Sequence, residues 1–229
     1  MDSHARTISF ARVPLKIGGL GFFLGFASVI AWAVTAVLSF EGILLYSVGG
    51  YNFEWMSGVF FQAPASRFIF YGLLSLSTLF SAVGCFALAK IKTSRAGLVS
   101  GILFVATFVV MVAYMLPFYG LKSGIYPYAY PALSYAASFP LLFFLGQILW
   151  GATLSTTTGK MGNLHLSRAT SVIFVLSGLF GILFTPVITY WGFEIWLLMV
   201  GWLYAAGALM TALMFFRLPS SGRAREVQE

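Results

Sequence analysis

The chain has 229 residues, of which 60% are hydrophobic and 8% are charged, and its mean hydropathy is +0.93. These values exclude a soluble globular domain. The net charge is +7, but the basic residues flank long apolar runs instead of forming a patch on a polar domain, so we expect no nucleic-acid partner.

Six apolar segments reach the length of about 20 residues that an α-helix needs to cross roughly 30 Å of hydrocarbon. The period-two alternation of barrel strands is absent, which leaves a helical bundle as the fold that satisfies the backbone inside a membrane. The sequence therefore predicts an all-α, polytopic transmembrane domain over residues 17–216. Its spans are predicted at about 17–46, 67–89, 96–118, 132–153, 169–190 and 195–216.

The basic residues sort onto one side of these spans. Eleven of the thirteen Lys and Arg fall in the N-terminal segment, the even-numbered loops and the C-terminal tail, and only Arg67 and Lys122 fall on the other side. Because short loops rich in Lys and Arg stay in the cytoplasm, the segments 1–16 and 217–229 are both predicted to be cytoplasmic. We expect this multi-pass protein in the cell (plasma) membrane.

The first span carries Gly21 and Gly25, a GxxxG pair that permits close contact between helices. Packing within the bundle is favoured over a dimer interface. The following loop contains YNFEWMSGVFFQAPAS, residues 51–66, which is too short for a domain and too apolar for a free linker. We expect it to form an interfacial half-helix or a re-entrant cap, because Trp and Tyr prefer the headgroup level.

Acidic residues lie on the side opposite the basic loops. Glu41, Glu54 and Glu194 fall there, with Arg67 and Lys122 as their local cationic partners. A charge at the edge of the hydrocarbon is costly unless it is paired or hydrated, so such residues are candidates for a functional site. The alternatives are charges that extend to water and a structural ion pair between Glu194 and Arg67.

Aromatic residues are concentrated on the same outer side, where an interfacial belt accounts for most of them. A more specific interpretation is an outer-leaflet pocket for an acyl, isoprenoid or quinone tail. The residues predicted to form this pocket, or an ion pair at the same face, are Glu54, Trp55, Arg67, Tyr126, Tyr130, Trp191 and Glu194.

Ionisable and metal-ligating residues are scarce within the spans. His4 and His165 both fall in segments predicted to be cytoplasmic, Asp2 is the single aspartate and Cys85 is the single cysteine. The sequence therefore lacks paired haem ligands, a zinc motif and an intramembrane protease set. We expect a non-catalytic protein with no metal and no cofactor, other than a lipid or quinone that it could bind.

Four segments also carry a family resemblance: EWMSGVFFQAPASRFIFYGLL, MLPFYG, YPALSYAASFPLLFFLGQILWG and GFEIWLLMVGWLYAAGALM. Together they resemble an archaeal and bacterial family of six-helix membrane proteins known as domain of unknown function 998. The resemblance extends over about residues 17–216. Gly58 stands where that family has an acidic residue, and Tyr130 and Tyr135 stand nearest to the place of a histidine. Because the family has no settled biochemical role, the resemblance implies a fold and no activity.

Two functions are favoured at this point over a third, an enzyme acting on lipid-linked substrates, for which the sequence shows no usable catalytic set. The first is an accessory or scaffold subunit of a larger membrane complex, such as a respiratory complex. It would have membrane lipids and other integral membrane subunits as partners, with lipid or quinone contact at its outer face. The alternative is a stand-alone lipid- or isoprenoid-binding protein, or a small transporter, that uses the outer-leaflet aromatic pocket.

Overall fold

The computed structural model describes residues 12–31, 33–34, 64–120, 130–156, 164–184 and 200–217. Within these ranges the chain is helical and contains no strand. The six helices are α1 (Arg12–Ala31), α2 (Pro64–Lys92), α3 (Arg95–Gly120), α4 (Tyr130–Thr156), α5 (Leu164–Leu183) and α6 (Trp202–Phe216). The all-α prediction is thus confirmed for the described part of the chain.

Four of these helices, α1, α2, α3 and α5, are long and apolar enough to cross a membrane. The helices α4 and α6 supply shorter apolar stretches, over Pro140–Thr156 and Trp202–Phe216. Several helices of this kind in one short chain support the prediction of a multi-pass membrane protein.

Two helices, α1 and α5, begin five residues earlier than the spans predicted from hydropathy. The helix α1 begins at Arg12 where the span was predicted from 17, and α5 begins at Leu164 where the span was predicted from 169. The additional turns contain basic residues, Lys16 in α1 and Arg168 in α5. Hydropathy marks where the hydrocarbon begins, whereas a helix extends further because its first N–H groups can be hydrated at the headgroup level.

The turn between α2 and α3 has specific hydrogen bonds at both helix ends. Thr93 adopts the left-handed conformation, with φ of 51°, and the N–H of Ser94 donates to the carbonyl of Ala89 over 3.1 Å. This is the Schellman arrangement that closes a helix C-terminus. The Oγ of Ser94 then accepts the N–H of Gly97 over 3.2 Å, which caps the start of α3. Two residues therefore suffice to reverse the chain.

Consecutive helices pack against each other in antiparallel pairs. Between α3 and α4, Ser100 Oγ donates to the carbonyl of Gly146 over 2.8 Å. Between α4 and α5, Ser167 Oγ donates to the carbonyl of Leu154 over 2.9 Å. The last helix contacts α5 and also returns to α1 and α2, since Phe215 lies beside Gly18 and Gly84. The described helices thus surround a common interior.

The outward faces of the helices are apolar. On α5, Val172 and Leu183 are 57% and 72% exposed, and on α3, Val109 is 56% exposed. Large apolar side chains on the outside of a bundle suit contact with lipid tails or with other membrane helices.

Candidate functional site

One end of the bundle is basic. The starts of α1, α3 and α5 meet the ends of α2, α4 and α6, as the contacts of Gly18 with Gly84 and of Ser167 with Leu154 show. The basic residues that these helix ends carry are Arg12, Lys16, Lys90, Lys92, Arg95, Arg168 and Arg217. The structure therefore brings to one end residues that the sequence had assigned to one side of the membrane.

A line of small residues lets α1 approach α2 closely. Gly21 lies against the backbone of Phe80 and Ser81, and a Cβ atom on Gly21 would come within 2.6 Å of the Phe80 carbonyl carbon. One turn away, a Cβ atom on Gly25 would lie 2.7 Å from the Oγ of Ser77. The GxxxG pair of the first span thus packs inside the bundle, against the small residues of α2.

Aromatic rings from five helices fill the interior; we call this set the central aromatic cluster. Phe22 of α1 stacks on Trp150 of α4 with centroids 5.3 Å apart and an interplanar angle of 19°. It also meets three further rings edge to face, those of Phe104, Phe174 and Phe215. The remaining members are Phe143 and Tyr204, whose ring centroids lie 5.1 Å apart. All seven members are at most 2% exposed.

Among the described helices, α2 is the one that contributes no ring, and it reaches this cluster through a hydrogen bond. The hydroxyl oxygens of Ser77 and Tyr204 lie 3.3 Å apart, and both residues are buried. The absence of a side chain at Gly25 leaves room for this pair, because a Cβ atom there would overlap the Tyr204 hydroxyl. A polar contact in the membrane interior of this kind links helices that the hydrophobic effect alone would not hold together.

Small polar residues also join α3 and α5 to the backbone of α4. Ser171 Oγ donates to the carbonyl of Gly151 over 2.7 Å, in the same way as Ser100 donates to Gly146. The Sγ of Cys85 in α2 lies 3.8 Å from the Oγ of Ser100. Within the described ranges, no three His, Cys, Asp or Glu side chains come together as a metal site.

A larger polar side chain, that of Gln147, lies in the interior of the bundle. Its exposure is 0%, and neither its amide oxygen nor its amide nitrogen has a hydrogen-bond partner in the described part of the chain. The indole nitrogen of Trp150, one turn further along α4, is buried and equally without a described partner. Gln147 and Trp150 are thus buried polar residues without a described hydrogen-bond partner, as are Ser81 and Ser177 at their hydroxyl oxygens.

The predicted outer-face residues lie outside the part of the chain that the structure describes. Five of them belong to segments outside the described ranges: Glu54, Trp55, Tyr126, Trp191 and Glu194. Arg67 and Tyr130 fall on the backbones of α2 and α4, but their side chains are outside the described set. The outer-leaflet pocket and the Arg67–Glu194 ion pair therefore stay predictions.

Sequence reasoning missed Gln147. The site residues predicted from the sequence are acidic, basic or aromatic, and a neutral amide belongs to none of these classes. A signal was nevertheless available, because Gln147 interrupts the apolar run LLFFLGQILWG with a residue that forms up to four hydrogen bonds. Polar residues at membrane depth are usually directed to the bundle interior.

No family model, no curated protein and no solved structure matches this chain. The resemblance to the six-helix family therefore stays a prediction, and the function has to be argued from the residues themselves.

Proposed function

We propose that this protein is a non-catalytic, integral membrane scaffold: an accessory subunit of a larger membrane complex, with lipid or quinone contact at its outer face. In this proposal the chain lies in the cell membrane with both termini in the cytoplasm. The basic end described above would then face the cytoplasm, as the excess of Lys and Arg in short cytoplasmic loops requires.

The observation that carries the proposal is the central aromatic cluster. Rings from α1, α3, α4, α5 and α6 contact one another there, and the Ser77–Tyr204 hydrogen bond adds α2. Interlocked aromatic rings in offset and edge-to-face geometry restrict the helices to one arrangement. A bundle fixed at its centre suits a protein that positions its neighbours.

The outward apolar faces supply surfaces for those neighbours. Along α5, exposed apolar side chains recur at spacings of three and four residues, which places them on one face of the helix. They are Val172, Leu176, Leu179, Phe180 and Leu183, each at least 40% exposed. A partner helix could pack along this face, while lipid tails would cover the rest of the perimeter.

Native mass spectrometry of the protein, extracted gently from its own membrane, tests the proposal. A complex that contains this chain at fixed stoichiometry with other membrane subunits is the expected result. A monomer or small homo-oligomer that carries a defined lipid or quinone mass would contradict it and would support the stand-alone lipid-binding protein or transporter.

Site-specific photocrosslinking then locates the contact. A photoreactive residue in place of Leu176 on α5 should crosslink to the subunit found by mass spectrometry. The control replaces Val109, another exposed apolar side chain, on α3. Crosslinks to lipid alone from both positions would show that neither helix face binds a protein partner.

A further inference from the structure

The amide of Gln147 is directed into the bundle by its place on α4. Phe143, Gln147, Trp150 and Leu154 follow one another at spacings of four, three and four residues, which puts them on one face of the helix. All four are at most 1% exposed. Phe143 and Trp150 both belong to the central aromatic cluster, so Gln147 lies between two members of that cluster along α4.

The polar atoms on this face are available to a hydrogen-bonding ligand. The Oε1 and Nε2 of Gln147 and the Nε1 of Trp150 are buried and lack a partner among the described residues. Serine and threonine in a helix can bond to a carbonyl of the preceding turn, but a glutamine amide and an indole N–H have no such local solution. Unpaired groups of this kind are rare in proteins, and they usually mark an internal water or a ligand.

The chemistry of the three atoms defines that ligand. The indole N–H and the amide N–H need an acceptor, and the amide oxygen needs a donor. A hydroxyl oxygen supplies both, whereas an ether or ketone oxygen supplies only an acceptor. An ion at this depth would need a side chain of opposite charge, and the buried residues of the described helices include none.

We propose that Gln147 and Trp150 together bind a neutral hydroxyl oxygen in the middle of the bundle. The hydroxyl group belongs either to an internal water molecule or to an amphiphile whose polar end enters between the helices. The proposal does not depend on the scaffold function, since the site lies inside the chain and away from its outward faces.

A double-mutant cycle on the full-length protein tests whether the two residues share one ligand. Gln147→Leu removes the amide at similar size, and Trp150→Phe removes the N–H while keeping a ring. If a shared oxygen is lost, Gln147→Leu lowers the Tm, and the double variant loses less than the sum of the two single shifts. Thr211→Val is the control, because the Thr211 hydroxyl bonds within its own helix, to the carbonyl of Gly207 over 2.9 Å; its Tm should change little.

A Gln147 amide that has no hydrogen-bond partner at all predicts a different change in Tm. If the amide of Gln147 is unpaired, its replacement by leucine removes a buried polar group without a partner and raises the Tm. Such a rise, or strictly additive shifts in the double variant, would overturn the proposal.

A spectroscopic measurement keeps the proposal falsifiable should Gln147→Leu fail to fold. Ultraviolet resonance Raman spectra report hydrogen bonding of an indole N–H, and the wild-type spectrum minus that of Trp150→Phe isolates the Trp150 contribution. A hydrogen-bonded indole is expected, and a free indole N–H would refute the site.

Native mass spectrometry separates the two sources of the hydroxyl group. An amphiphile gives a defined mass adduct on the wild-type protein that is lost in Gln147→Leu and retained in Thr211→Val. A hydrogen-bonded Trp150 without any adduct identifies the ligand as water. A free indole together with no adduct eliminates both.

Discussion

The close approach of α1 to α2 at Gly21 gives a test of the packing. In Gly21→Ala the new methyl group would overlap the amide nitrogen of Ser81 and lie 2.6 Å from the carbonyl carbon of Phe80. Both are backbone atoms, so a change of side-chain rotamer cannot relieve the clash and the helices must separate. We expect a steric cost of about 3 kcal/mol, the upper end of the usual range for overpacking.

Gly72→Ala is the matched control, because a Cβ atom at Gly72 in α2 meets no atom of the described residues within 4 Å. Alanine is favoured over glycine in a helix by about 1 kcal/mol, and this gain applies to both variants. Gly21→Ala should therefore lose about 2 kcal/mol and Gly72→Ala should gain about 1 kcal/mol, and their difference isolates the steric cost.

Equilibrium unfolding by SDS in mixed micelles, followed by circular dichroism, measures both free energies of unfolding. Size-exclusion chromatography of the same samples reports the oligomeric state. Equal stabilities of the two variants would refute the close α1–α2 contact. A Gly21→Ala protein that keeps its stability but changes its oligomeric state would instead place Gly21 at a dimer interface.

Three further predictions concern the cluster, the tight turn and the buried thiol. Phe22→Ala removes a ring that is 1% exposed, and it should lower the free energy of unfolding in SDS by about 3–5 kcal/mol. The control Phe23→Ala removes a ring that is 43% exposed and should change the free energy of unfolding by about 0.5 kcal/mol or less. Similar losses in the two variants would argue against the cluster. Thr93→Gly should stabilise the protein by about 1 kcal/mol in the same assay, because glycine adopts the left-handed conformation without strain. A loss of stability would show that contacts of the threonine side chain contribute more to stability than the strain of its backbone costs. Cys85 is 0% exposed, so N-ethylmaleimide should leave it unlabelled in the folded protein and should label it after unfolding in SDS. Intact-mass measurement reports the labelling. Rapid labelling of the folded protein would contradict the packing around α2.

Much of the fold could be predicted from the sequence, because the hydropathy and charge of each segment by themselves indicate whether that segment forms a membrane-spanning helix. An apolar segment of sufficient length has few structures open to it in a membrane, and a helix is the simplest of them. The helix boundaries were less accurate at Arg12 and Leu164, since polar residues at the headgroup level extend a helix without contributing hydropathy. The GxxxG pair indicated a close contact but could not identify α2 as its partner.

The interior could not be predicted because it depends on which faces meet. Phe22 and Trp150 are 128 residues apart in the sequence, and no periodicity links them, yet their rings stack. The prediction instead gave weight to aromatic residues on the outer side, where composition is visible without a structure. Those outer residues lie outside the described ranges, so the pocket that they were expected to form stays open to experiment.

The interior polar residues differ in how the backbone can satisfy them, and this difference explains why Gln147 stands apart. A helix carbonyl has two lone pairs, so it can accept a serine hydroxyl from a neighbouring helix while keeping its own helical hydrogen bond. Gly146 and Gly151 expose such carbonyls of α4, to Ser100 and Ser171 respectively, because they carry no side chain. A glutamine amide needs donors and acceptors together, which intact helices do not offer. The hydroxyl oxygen proposed between Gln147 and Trp150 would supply this amide with both a donor and an acceptor from outside the backbone.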